Sequence, residues 1–295
     1  MAIFVEKTRQ LLTINPKELQ TAQLHGYLLS AVAPRPIALA STVDADGNAN
    51  LSPFSFFNVF SANPPILIFS PARRVRDNTV KHTLENVKSV GEVVINVVSY
   101  DMVHQTSLSS TEYGKGVNEF EKAGFEMLPS DCVKPCRVAE SPVQFECTVR
   151  EVIAMGSEGG AGNLVICEVQ MMHIDEGVLD ESGRIDQVKL DLVARAGGSY
   201  YSRASRTFFE IPKPLASKGI GVDALPSIVR NSKVLTGNDL GQLGNVNELP
   251  HKADVDKFLT DNPKFLGMEL NEKHKFASEL LEKSDVNGAW LVLLS

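Results

Sequence analysis

The chain has 295 residues, 43% of them hydrophobic and 22% charged, with a formal net charge of −7 and a pI near 5.5. That length implies about two domains and ample chain for a packed core without staples, and the composition excludes wholesale disorder. An acidic balance with no broad basic footprint excludes nucleic acid and anionic membrane as partners, yet leaves room for a local cation cluster that holds a small anion.

Residues 2–5 form a short apolar patch that ends at Glu6 and Lys7, which is no signal peptide. No apolar run approaches the length of a membrane span. The expectation is a soluble cytoplasmic protein. The cysteines are Cys132, Cys136, Cys147 and Cys167, with a C-x₃-C spacing and no second pair, so they read as structural thiols.

Taken in chain order, residues 16–24 read as a short helix. Residues 36–43 are an apolar run ending in Asp44-Ala45-Asp46-Gly47, a hairpin-type turn. Residues 66–70 follow two prolines and are too short for a helix, so they read as a strand. The period of Val80, Leu84 and Val87 predicts a helix over 78–89. Residues 92–98 are rich in β-branched side chains and predict a strand. Two longer strands, 143–155 and 164–174, flank the glycine-rich hairpin 156–162. Residues 187–194 read as one more strand. The segment 211–214, with Pro212 and Pro214, breaks regular structure. Residues 215–250 read as ordered but irregular. Helical spacing returns at Val255, Phe258 and Leu259, and at Leu270, His274, Ala277 and Leu281. Asn287-Gly288 reads as the stop, and 290–294 as an apolar tail.

Many short strands and few helices predict an all-β (β-rich α+β) class, a barrel or sandwich. The expected division is a domain over 1–204 and a C-terminal extension over 205–295, read as an irregular segment plus two helices.

Most chemical motifs are missing. There is no P-loop, no H-E-x-x-H and no G-x-S-x-G. Gly219 to Ala224 spells G-x-G-x-x-A without the strand–turn–helix context that a dinucleotide site requires. The six histidines, at 25, 82, 104, 173, 251 and 274, lack metal-ligand spacing. No metal and no catalytic side chain is expected.

The region 34–83 stands apart. Hydroxyls, asparagines, cations and a helix start recur at the ends of adjacent strands, which suits a phosphate. Phe54, Phe56 and Phe57 lie beside them and offer apolar area for a planar ring. The same residues also fit a plain β protein, with hydroxyls bordering turns, phenylalanines in the core and arginines on a solvated loop.

The order of these pieces resembles the flavin reductase-like family with the FMN-binding split-barrel fold. The resemblance rests on Pro34-Arg35-Pro36-Ile37-Ala38, Ser41-Thr42-Val43-Asp44, Ser52-Pro53-Phe54-Ser55-Phe56-Phe57-Asn58, Pro64-Pro65, Lys81-His82-Thr83-Leu84 and Ala194-Arg195-Ala196-Gly197-Gly198-Ser199-Tyr200. It implies a Greek-key split β-barrel working as a homodimer. It also implies FMN, or FAD, as cofactor and NADH or NADPH as electron donor. By the same resemblance Arg35, Ser41, Thr42, Ser52, Ser55 and Asn58 line the flavin site, with Phe56 and Phe57 beside them for the ring, and Lys81 and Thr83, with Arg76, hold its phosphate. His82 stands where the family has an aspartate, and either adds positive charge near the phosphate or faces solvent. An electron carrier without nucleotide turnover, and a β-barrel interaction protein that has lost its ligand, are the rival classes.

Overall fold

The computed structural model describes residues 10–211 and 218–295. The patch at 2–5 and the prolines at 212 and 214 lie outside them. Two compact units emerge, Thr13–Phe209 and a second that holds Glu210–Ser295.

The larger unit is built on seven antiparallel strands: β1 (Ala38–Val43), β2 (Ala49–Phe54), β3 (Phe57–Ala62), β4 (Pro65–Phe69), β5 (Glu92–Val97), β6 (Val143–Ala154) and β7 (Asn163–Ile174). Their order across the sheet is β2-β1-β5-β6-β7-β4-β3. The outermost strands, β2 and β3, are consecutive in sequence and joined by Ser55-Phe56 alone. The sheet therefore curls until its edges meet end to end. They are not hydrogen-bonded to each other among the described residues, so the expected barrel is open rather than closed. A small separate sheet pairs Arg35–Pro36 with Val193–Arg195, and the latter with Tyr201–Arg203.

Strand alternation sorts side chains between two cores. From β1, Ala38 and Ala40 enter a cluster with Phe54, Phe69, Val93, Ile95 and Val165, closed by Leu84 and Val87 of helix α2 (His82–Ser89). Leu39 points the other way, into a cluster with Leu51, Met102 and Phe120 of helix α4 (Glu119–Ala123). With both faces covered, β1 is buried along its whole length. Helices α1 (Thr21–Ala31) and α3 (Val103–Leu108) complete this unit.

The second unit is helical, with α5 (Gly237–Gly244), α6 (Lys252–Asp261), α7 (Leu270–Glu282) and α8 (Val286–Leu294). Its core gathers Leu225, Val229, Leu243, Leu281 and Trp290. The chain as a whole thus fits the β-rich α+β part of the expectation, and all-β only roughly.

Several boundaries differ from the sequence reading, each for a local reason. The helix expected over 78–89 starts at His82, because Asp77 accepts from Thr79 N and Oγ1 and Asn78 adopts φ +57°. A short 3-10 turn at Pro16–Glu18, capped by Asn15, precedes α1. The expected strand 187–194 is a helical turn, Gln187–Leu190, capped by Asp186 and ended by Asp191 at φ +46°; only Val193–Arg195 is strand. The irregular stretch 215–250 contains α5, held by a Thr236–Asp239 capping box despite its glycines. Asn287-Gly288 does not stop a helix. It lies in the first turn of α8, where Asp285 accepts from Gly288 N, and the expected tail is helix.

Candidate functional site

A polar cleft forms where β2, the start of α2 and the turn after α3 converge. Ser52 and Asn50 share one face of β2 by strand periodicity, and both are buried. Lys81 is the N-cap residue of α2, with no side-chain cap on the helix N–H groups. Its Nζ donates to Ser52 Oγ at 2.7 Å and lies 5.2 Å from the centre of the Phe54 ring. Burial, reinforced by nearby Arg74, lowers the Lys81 pKa to about 8. Arg74 is pinned from inside, its Nη1 donating to Thr79 Oγ1 and Val80 O, each at 2.8 Å. Its Nε meets Glu112 Oε1 at 3.0 Å, and Arg76 grips the other Glu112 oxygen.

Behind the cleft runs a buried network. Thr83 Oγ1 donates to Asn50 Oδ1 at 2.8 Å and Thr42 Oγ1 to the same oxygen at 3.3 Å. Asn86 donates to Thr42 Oγ1, and Asn50 Nδ2 and Leu51 N both donate to Glu119 Oε2 at 3.0 Å. Buried polar groups satisfied in this way hold the cleft wall rigid.

The structure brings Ser52, Lys81, His82 and Thr83 into this one cleft, with Arg74 and Glu112. Arg76 reaches it through Glu112 and is also paired with Asp77. Thr42 stands one layer behind. Phe57 and Asn58 line a different place, an apolar hollow of about 220 Å³ with Leu67, Val97 and Phe145. Ser55 lies in the β2–β3 link, and Phe56 is exposed, edge-on to His25. Ser41 is fully buried and its hydroxyl has no partner among the described residues.

Arg35, expected at the flavin, clamps backbone carbonyls. Its Nη1 donates to Leu29 O at 2.6 Å and Val32 O at 2.5 Å, at the end of α1, and Nη2 reaches Ala196 O at 3.3 Å. A cation there complements the free carbonyls of a helix C-terminus. A side chain on Gly197 would collide with Ser30, so this glycine lets the chain press against α1.

Sequence reasoning passed over Asn50, Glu112 and Glu119, and counted Arg74 only among the cations of the 34–83 region. Asn50 had a signal, two positions before Ser52 on one strand face; the two acids had none. It also passed over Glu146, which is fully buried and accepts from Asp131 N, Cys132 N, Cys132 Sγ and His173 Nε2 at 2.7–2.9 Å. Polar atoms of Asp131, Glu146 and His173 lie within 4.8 Å of one another. Histidine spacing could not reveal a group assembled from a loop and two strands.

A family model for the flavin reductase like domain matches residues 30–200. The chain belongs to that family. The flavin reductase like region spans every residue of the cleft and ends before the helical unit. A Halalkalibacterium halodurans protein, uncharacterised, is 34% identical over 207 residues, which cover 70% of this chain and 98% of that one. Nitrilotriacetate monooxygenase component B from Bacillus cereus is 27% identical, with a TM-score of 0.65 over 69% of this chain and 100% of its own. A Shewanella frigidimarina protein assigned as a flavin reductase with a split barrel domain is 26% identical, with a TM-score of 0.57 over 67% of this chain and 95% of its own. The larger unit is thus the split-barrel fold of the flavin reductases, in its open form.

Proposed function

We propose that this protein is an FMN-dependent oxidoreductase that takes reducing equivalents from NADH or NADPH and passes them through the flavin to an acceptor. The observation that carries the reading is the cleft at the start of α2, where Lys81, Arg74 and Ser52 meet uncapped helix N–H groups. Membership of a flavin reductase like family supports the same conclusion.

The residues present fit a flavin phosphate. A partly desolvated ammonium and a pinned guanidinium supply positive charge, and the hydroxyl of Ser52 and the first N–H groups of α2 supply directional donors. FMN, when bound, supplies the hydride and one-electron chemistry. The chain's own work is to hold it. Lys81 and Arg74 neutralise the phosphate, and the Thr83–Asn50–Glu119 network keeps β2 and α2 in register around it. Phe57 and Asn58 offer an apolar wall with one polar handle for a planar ring. This division of labour needs no acid or base from a side chain.

Assembly as a homodimer is part of the reading. The edge strand β3 leaves Val59 63% and Phe60 64% exposed, an unpaired apolar edge that a second copy would cover. No helix among the described residues is long and apolar enough to cross a membrane.

The test is a visible spectrum of the protein with FMN, repeated anaerobically after NADH and then NADPH. A flavin band that bleaches with one nucleotide supports the reading and identifies the donor. A band that both leave intact makes the protein a carrier. No bound flavin at all defeats the proposal.

A further inference from the structure

The cleft holds two carboxylates as well as its cations, and the two are held very differently. Glu119 is 4% exposed and accepts from Asn50 Nδ2 and Leu51 N, so it is part of the wall. Glu112 sits on the turn after α3, and its side chain is 42% exposed. Its Oε1 meets Arg74 Nε at 3.0 Å and its Oε2 meets Arg76 Nη2. Arg74 is anchored from the far side by Thr79 Oγ1 and Val80 O. In that pair the guanidinium is the fixed partner and the carboxylate the one free to move. Two guanidinium groups gripping one carboxylate also form the kind of fork that recognises a phosphate.

We propose that Glu112 is a built-in counter-ion, which occupies the anion-binding arginines of the ligand-free protein and must be displaced by the phosphate of an incoming flavin. The inference rests on the phosphate-site reading above. It makes Glu112 a determinant of ligand choice, because only a ligand with its own anion can take its place. The carboxylate also offsets the mutual repulsion of Arg74 and Arg76. A ligand without phosphate would leave the Glu112 pairs untouched.

Displacing two partly exposed ion pairs opposes binding by a modest amount, so removing the competitor should tighten it about three- to tenfold. The experiment measures dissociation constants for FMN and riboflavin by quenching of flavin fluorescence, at low salt, on the full chain and on Glu112→Gln, Glu112→Ala and Lys81→Ala. Glu112→Gln and Glu112→Ala are expected to bind FMN about three- to tenfold tighter and riboflavin unchanged, with the gain shrinking as salt is added. Inorganic phosphate should also compete with FMN at lower concentration on either variant. Unchanged or weaker FMN binding by both Glu112 variants, with Lys81→Ala still selectively losing FMN, overturns the inference and leaves the phosphate site standing. If wild type binds FMN and riboflavin equally and Lys81→Ala changes neither, the phosphate site itself fails and the role of Glu112 goes with it.

Discussion

The Lys81 ammonium donates to Ser52 Oγ at 2.7 Å across the mouth of a cleft that also holds Arg74. Because burial and Arg74 lower its pKa to about 8, this cation is ready to gain an anionic partner. Replacing Lys81 by alanine removes a charge-assisted hydrogen bond, of order 1.5–3 kcal/mol, from any phosphate bound there. FMN affinity should fall about ten- to a hundredfold in Lys81→Ala, while riboflavin is barely affected. Equal losses for the two ligands would refute the role.

The same lysine gives a pH dependence with a definite sign. Above pH 8 the ligand-free side chain is increasingly neutral, and a bound phosphate favours the charged form, so binding must take up a proton. FMN affinity should weaken between pH 7 and 9, with the slope growing beyond pH 8 toward about tenfold per unit. Lys81→Arg keeps its charge and should flatten the profile. Without ligand the sign reverses. The unfolded chain binds the proton up to about 10.5 and the folded one only to about 8, so folding stability gains as pH rises through that window.

Glu146 sets the acid limit. Burial pushes its carboxyl up, but hydrogen bonds from Cys132 Sγ, from the N–H groups of Asp131 and Cys132, and from His173 outweigh burial and bring it down to about 2. A depressed acid stabilises the fold above its ordinary pKa of 4.5, and that contribution is lost as pH falls from there toward 2. Glu146→Gln should cost about 1–3 kcal/mol near neutrality, the range for weakening a buried hydrogen-bonded group. Its urea midpoint should then change less than that of wild type between pH 5 and 3. Parallel profiles would show that Glu146 carries no acid sensitivity.

How far sequence reading reached depended on the range of the interaction. Strands β5, β6 and β7 were legible because β-branched runs and the glycine-rich 156–162 link act locally. Strand β3 was hidden, since Val59 and Phe60 are both exposed on an edge and show no inside–outside alternation. Ser52, Lys81 and Thr83 were found through the order of short motifs, and they do share a cleft. Glu112 and Glu119 could not be found that way, because their partners at Arg74 and Asn50 lie 38 and 69 residues distant. Arg35 matched its motif, yet its direction depends on where α1 ends, which no local pattern records.

Cys132 is exposed but should be unreactive. Its hydrogen bond to Glu146, together with burial and the charge of that carboxylate, pushes the thiol up to about 11. A thiol with its pKa two units above the ordinary 9.0 holds about a hundredfold less thiolate at pH 8. Mass spectrometry after brief iodoacetamide treatment at pH 8 should find Cys132 largely unmodified, with buried Cys147, raised to about 12, still slower. Glu146→Gln should speed labelling at Cys132 selectively. Rapid labelling of Cys132 in wild type would contradict the hydrogen bond.

The helical unit carries its own reporter. Trp290 is the sole tryptophan, 1% exposed, and its Nε1 donates to Leu243 O at 3.2 Å. It packs against Val229, Leu243 and Leu281 in a core drawn from within Glu210–Ser295. Its fluorescence therefore follows that unit alone, with a shift to longer wavelength when the core opens to water. Trp290→Ala should destabilise the unit by about 3–5 kcal/mol through the cavity it leaves. Trp290→Phe keeps most of the apolar contact but strands the Leu243 carbonyl, and should cost about 1–3 kcal/mol. Circular dichroism at helical wavelengths during urea unfolding reads both variants. If the alanine variant unfolds at the wild-type midpoint, Trp290 does not hold this core together.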